Sequence, residues 1–127
     1  MKRICVLLLL LVLVLTGCTK TAEEAYLDIY DEYAAKLQEA TPRLIAEFRT
    51  EAGNEADVIL LLELSTKKTE ELALISTEGM QKMAEIPLEY NGDYAAYDEW
   101  AAKLMQVYTD EAAKLDDVYR ELVGGGQ

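Results

Sequence analysis

Tyr26, Tyr30, Tyr33, Leu37, Ala40, Leu44 and Phe48 recur at spacings that alternate between four and three. Only a helix gathers such positions on one face, because successive side chains turn by about 100°, whereas a strand demands strict alternation. Two further stretches keep the period. Val58, Leu62, Ser65, Thr69, Leu72, Ser76, Gly79, Met83 and Ile86 form the second stripe, and Tyr94, Tyr97, Ala101, Leu104, Tyr108, Leu115, Val118 and Leu122 the third. With Ala, Glu, Leu and Lys abundant, β-branched residues sparse and only two prolines, the class is all-α. Turn residues set the limits of helices at about 23–52, 55–86 and 93–123. Gly53-Asn54 closes the first helix and caps the second. Pro87 to Gly92 closes the second, Asp93 caps the third, and a Gly-rich tail at 124–127 ends it. Three long helices joined by short loops pack most simply as an up-down-up three-helix bundle. Pro42 either kinks the first helix or starts a new one with Thr41 as its cap; the reading adopted is a kinked continuous helix.

The N-terminus has a different character. Lys2 and Arg3 precede an unbroken apolar run, Ile4 to Leu15, which has the length of a signal-peptide core. It falls short of the roughly 20 residues a membrane-spanning helix needs. Leu15-Thr16-Gly17-Cys18 follows directly and resembles the lipobox of bacterial lipoproteins. That resemblance covers only the first eighteen residues. It implies removal of residues 1–17 as a signal peptide, lipidation of Cys18 with diacylglycerol and an acyl chain such as palmitate, and a short tether at 18–22. Two or more long chains on one residue anchor a protein stably, each buried methylene contributing about 0.8 kcal/mol. The expected location is extracytoplasmic, on the outer face of the cell membrane, or on the outer membrane if the host has one. Thr19 is not the aspartate that the resemblance would link to inner-membrane retention. Cys5 leaves with the signal peptide, so the mature chain can form no internal disulfide.

Charge narrows the partners. Twelve Lys and Arg stand against 24 Asp and Glu, a net charge of −12 that becomes −14 once Lys2 and Arg3 are removed. Such a surface opposes nucleic acid and repels anionic lipid, which leaves attachment to the bilayer to the lipid on Cys18.

Chemistry is narrowed as well. The chain has no histidine, which removes the usual general base, the Ser–His and Cys–His pairs and histidine-containing zinc sites. A lipidated Cys18 is neither nucleophile nor ligand. No phosphate-binding glycine motif occurs, and Asn91-Gly92-Asp93 lacks the order of a calcium loop and reads as a turn and cap. Nearly all carboxylates fall on solvent faces. No enzyme, metal or cofactor is expected.

Two segments remain as candidate contact surfaces. Tyr30-Asp31-Glu32-Tyr33-Ala34-Ala35-Lys36-Leu37 and Tyr97-Asp98-Glu99-Trp100-Ala101-Ala102-Lys103-Leu104 differ at one position, and Asp110 to Leu115 echoes them. Glu32 with Lys36, Glu99 with Lys103 and Asp110 with Lys114 are favourable i,i+4 pairs. In an up-down-up bundle both copies face the end of helix 2, where Ser76, Gly79, Met80 and Met83 leave room for Tyr30, Tyr33, Tyr97 and Trp100 to form one cluster with sulfur–aromatic contacts. The four-residue tether makes this the membrane-proximal end. At the far end Val58, Ile59, Leu60, Leu61, Leu62 and Leu64 surround nearly the whole helix, which suggests a docking surface for a partner or a wider local core. The expected function is a membrane-anchored, non-enzymatic helical module that binds a protein partner or serves the envelope. The alternative is a small-ligand carrier using the Tyr/Trp/Met end as a pocket.

Overall fold

A computed structural model describes residues 20–125. The expected signal peptide at 1–17, the expected lipidation site Cys18 and the last two residues of the Gly-rich tail lie outside the described residues. Three helices, α1 (Ala22–Ala52), α2 (Val58–Glu89) and α3 (Tyr94–Gly124), make up nearly all of that span, and no strand occurs among the described residues.

Each helix begins at a side-chain cap. Thr21 accepts from the Glu24 backbone N–H at 3.2 Å while the Glu24 carboxylate accepts from the Thr21 N–H at 3.0 Å, a reciprocal capping box that satisfies two otherwise orphaned donors. Asp93 caps α3 by accepting from the Ala95 N–H at 3.1 Å, as the sequence suggests. The start of α2 departs from expectation. Asn54 does not cap it; Glu55 folds back to accept from the N–H groups of Ala56 and Asp57, and Asp57 caps by accepting from Ile59 at 2.9 Å. The helix therefore begins at Val58, later than the turn signal at 53–54 implied.

Both prolines lie within helices. α1 runs continuously across Pro42; the backbone N–H it lacks would have bonded the carbonyl of Gln38, and both residues face water, which satisfies that carbonyl. Thr41 is no cap: its buried hydroxyl donates to the Leu37 carbonyl at 2.9 Å. Pro87 does not stop α2 either, since the helix continues to Glu89. Closure comes from Asn91, whose φ of 50° supplies a left-handed residue, and from the Gly92 N–H, which donates to the Pro87 carbonyl at 3.1 Å.

α1 and α3 run parallel, with α2 antiparallel between the short turns at 53–57 and 90–93. The N-terminal ends of α1 and α3 meet where Trp100 lies on Tyr26, and their C-terminal ends where Arg49 pairs with Glu121 at 2.8 Å. One core fills the axis, with Leu37, Leu44, Leu72, Leu104 and Leu115 wholly enclosed. Burying a leucine stabilises by about 1.5–3 kcal/mol.

The α1 stripe packs as its spacing predicts, with only Tyr30 part-exposed. The α2 stripe is corrected in its first turns. Leu61, Ser65 and Lys68 face the core, and Val58 and Leu62 face out, because the inward face holds the phase set by Leu72, Gly79 and Met83. In α3, Tyr94 is exposed and Trp100 and Glu111 are buried, neither of which the stripe predicted.

Candidate functional site

At the end of the bundle formed by the 53–57 turn, four aliphatic side chains lie open to water. Ile59 is 68% exposed, and Val58, Leu60 and Leu62 are each close to half exposed. Leu61, 1% exposed, is core and drops out of the expected docking set; Leu64 is half-buried. At about 100° per residue, Leu60 and Leu64 lie on one flank of α2, Val58 and Leu62 on the other, and Ile59 between them. A groove of about 310 Å³ runs beside Leu60 and Leu64, walled by Glu51, Glu55, Glu63 and Lys67. A larger recess of about 570 Å³ separates the turn and Val58 from Leu122 and Val123 near the end of α3. The apolar run is thus an exposed band with hollows on both flanks, held to the core by Leu61 and in part by Leu64.

Just inside that end, Lys68 is 2% exposed, and sequence reading did not single it out. Its ammonium donates to Glu51 at 2.8 Å and to Glu47 at 3.1 Å, and Arg43 reaches Glu47 at 2.8 Å and Glu71 at 3.6 Å. The stripe positions 61, 65, 68 and 72 opposite Glu47 and Glu51, themselves one turn apart, were the available signal. Hydrogen bonding to Glu51 first, opposed by burial, holds the Lys68 ammonium above its usual value. Arg43 and then Lys68 hold the Glu47 carboxyl below the usual 4.5.

These shifts fix a pH dependence. A depressed carboxyl contributes its stabilisation above its unfolded value and loses it as pH falls through the folded one; a raised ammonium contributes below its unfolded value and loses it as pH rises through the folded one. Protonation also relieves the repulsion of the net charge, so a difference between two proteins isolates the pair. We expect the gap in unfolding midpoint between wild type and Glu47→Gln to be constant between about pH 5 and pH 10 and to close below about pH 4.5. A gap that widens in acid contradicts the assignment.

The aromatic end is arranged differently from the expected four-ring cluster. Trp100 stacks on Tyr26, with ring centroids 6.2 Å apart and planes 5° apart, and meets Tyr30 at 5.8 Å with a 57° tilt. Tyr97 pairs edge-on with Tyr94 at 6.3 Å. Tyr33 stands apart, packed on Gly79, with its hydroxyl donating to Glu78 at 2.7 Å and the ammoniums of Lys36 and Lys82 over its ring. The reason is register: in the repeat Trp100 corresponds to Tyr33, but in space it sits about a turn lower, beside Tyr26 and Tyr30. Trp100 is 7% exposed, carries the Lys103 ammonium 4.0 Å from its ring centroid, and directs its indole N–H toward Glu23 at 3.4 Å. Burial, with the carboxylates of Asp93 and Glu23 nearby, pushes the Tyr26 phenol upward. A separate groove of about 220 Å³ lies at mid-height between Ser65, Thr69, Ala73 and Tyr108, away from these rings.

The i,i+4 pairs of the repeat form at Glu32–Lys36, 2.7 Å, and Glu99–Lys103, 3.1 Å. In the third copy Lys114 turns instead to Glu111 at 2.8 Å, and Asp110 accepts from Gln106. Among the described carboxylates Glu111 is the buried exception: it is 4% exposed, and neither its Oε2 nor the Ser76 hydroxyl has a hydrogen-bond partner. Among the described residues no three His, Cys, Asp or Glu side chains are grouped to hold a metal ion, and no helix is long and apolar enough to cross a membrane. Comparison with protein-family models, with curated proteins and with solved structures finds no match.

Proposed function

We propose that the mature chain, residues 18–127, is a bacterial lipoprotein held by lipid on Cys18 at the outer face of a membrane, where its bundle acts as a non-enzymatic module that binds a protein partner. The single observation carrying the partner-binding reading is the band of Val58, Ile59, Leu60 and Leu62, open to water at the end opposite the start of α1. Contiguous exposed apolar patches are uncommon on monomeric proteins and mark contact surfaces. The lipobox resemblance at Leu15 to Cys18 supports the anchor. The carrier alternative is less well supported, because it calls for an accessible Trp100, and that residue is only 7% exposed.

The anchor is tested by fatty-acid labelling and fractionation. Wild type is expected to take up label and sediment with membranes, and Cys18→Ser to do neither; equal labelling, or full membrane retention of the variant, contradicts the anchor. Docking is tested with a photo-crosslinker at Leu60 in the cells of origin. A discrete adduct is expected that disappears in an Ile59→Ser, Leu62→Ser background, while the unfolding free energy changes by no more than about 0.5 kcal/mol per surface substitution. An adduct indifferent to both substitutions would remove this band as the docking surface.

A further inference from the structure

The opposite end of the bundle also exposes apolar side chains. Leu88, in the last turn of α2, is 73% exposed, and Tyr94, the first residue of α3, is 54% exposed. They flank the turn at 90–93, which closes against the start of α1: the Trp100 stack on Tyr26 and the indole contact with Glu23 hold the two N-terminal ends level. Tyr97 supports the Tyr94 ring edge-on, so this ring is propped outward on a rigid neighbour.

Chain length says what lies beyond that end. Ala22, where α1 begins, is only four residues along the chain from Cys18. An extended chain spans at most about 3.3–3.6 Å per residue, so the first turn of α1 stands within roughly 14 Å of the lipidated residue. The polar zone of one leaflet is itself only about 5–8 Å deep. The tether is therefore too short to hold the turn far from the lipid. Leucine favours the acyl boundary, and tyrosine favours the headgroup level, where its ring is sheltered and its hydroxyl wet.

We propose that the α2–α3 turn is a membrane-contact element, with Leu88 and Tyr94 seated in the interfacial zone of the bilayer that holds Cys18. This rests on the lipoprotein reading above. The lipid supplies attachment, and the turn fixes posture: a second point of contact stops the bundle swivelling on its tether and keeps the Val58–Leu62 band directed away from the membrane. Glu85, Glu89 and Asp93 border the turn and oppose anionic headgroups, so the fitting surface is zwitterionic lipid.

The test uses the lipidated protein, processed in a bacterial membrane and reconstituted into phosphatidylcholine vesicles. Leu88→Cys, Tyr94→Cys and, as an aqueous reference at the far turn, Asn54→Cys are each spin-labelled. Acylation of Cys18 leaves the introduced thiol as the only free one in the mature chain. Collision with oxygen, which concentrates in lipid, is compared with collision with a water-soluble nickel chelate. Labels at 88 and 94 are expected to favour oxygen several-fold over the label at 54. Equal aqueous access at all three, in protein whose lipidation is verified by mass, overturns the proposal and leaves the anchor standing. A mass showing no lipid on Cys18 overturns the lipoprotein reading and this inference together.

Discussion

Replacing Glu111 with leucine raises the unfolding free energy by about 1–4 kcal/mol, although it removes an ion pair. Glu111 occupies a core position on α3 between Leu104 and Leu115, 4% exposed, with one carboxylate oxygen bound to Lys114 and the other without a partner. Desolvating a carboxylate costs several kcal/mol, and a single bond to a half-exposed lysine repays only part of that. Leucine removes the cost, fills a similar volume and leaves Lys114 free to turn to water. For a domain near this size the gain corresponds to about 4–8 °C in Tm per kcal/mol. Thermal and denaturant unfolding of the soluble mature domain check it; a lower midpoint for Glu111→Leu would show that the buried carboxylate is a net asset to the fold. Glu111→Ala is the control, since it leaves a void and gains less.

Gly79→Val is expected to act in the other direction, lowering stability by about 3 kcal/mol, the upper part of the range for overpacked cores. All three helices converge at Gly79, where an added Cβ would lie 2.7 Å from both Tyr33 Cγ and Leu104 Cδ2 and 3.0 Å from Tyr33 Cβ. The leucine methyl can rotate away; the base of the tyrosine ring cannot. Alanine at this position recovers about 1 kcal/mol of helix propensity, so Gly79→Ala loses less than Gly79→Val. Adding Tyr33→Ala gives a discriminating cycle, because the double variant should lose less than the sum of the two single losses if the clash is real. Denaturant midpoints of the four proteins supply it, and strict additivity would contradict the packing described.

Much of the fold was legible because long helices with a single buried face write their period into the chain. The Tyr26–Phe48 stripe, the Asp93 cap and the two i,i+4 pairs of the repeat follow from local rules alone. The first turns of α2 did not, since Val58 to Leu64 is apolar on every side and offers no phase; Leu72, Gly79 and Met83, further along, decide which of those residues turns inward. Lys68 and Glu111 were missed for a related reason: a charged residue on a stripe reads as surface until its partners on another helix are known. Of the expected docking set, exposure distinguishes Val58, Ile59, Leu60 and Leu62 from Leu61, a distinction the aliphatic letters do not carry. The expected aromatic cluster required the relative height of α1 and α3, which depends on packing at Gly79 and on the Arg49–Glu121 pair and not on the repeat.

The near-identity of the segments at 30–37 and 97–104 raises the prospect that α1 and α3 could trade places during folding, since their charges and small residues match almost letter for letter. The hollow at Gly79 breaks the tie. The base of the Tyr33 side chain fills it, while Trp100 finds its bed about a turn lower, on Tyr26 and Tyr30. Within the repeat the differing letter thus separates two matching segments, and beyond it the helices diverge further, with Glu111 of α3 standing where α1 has Leu44.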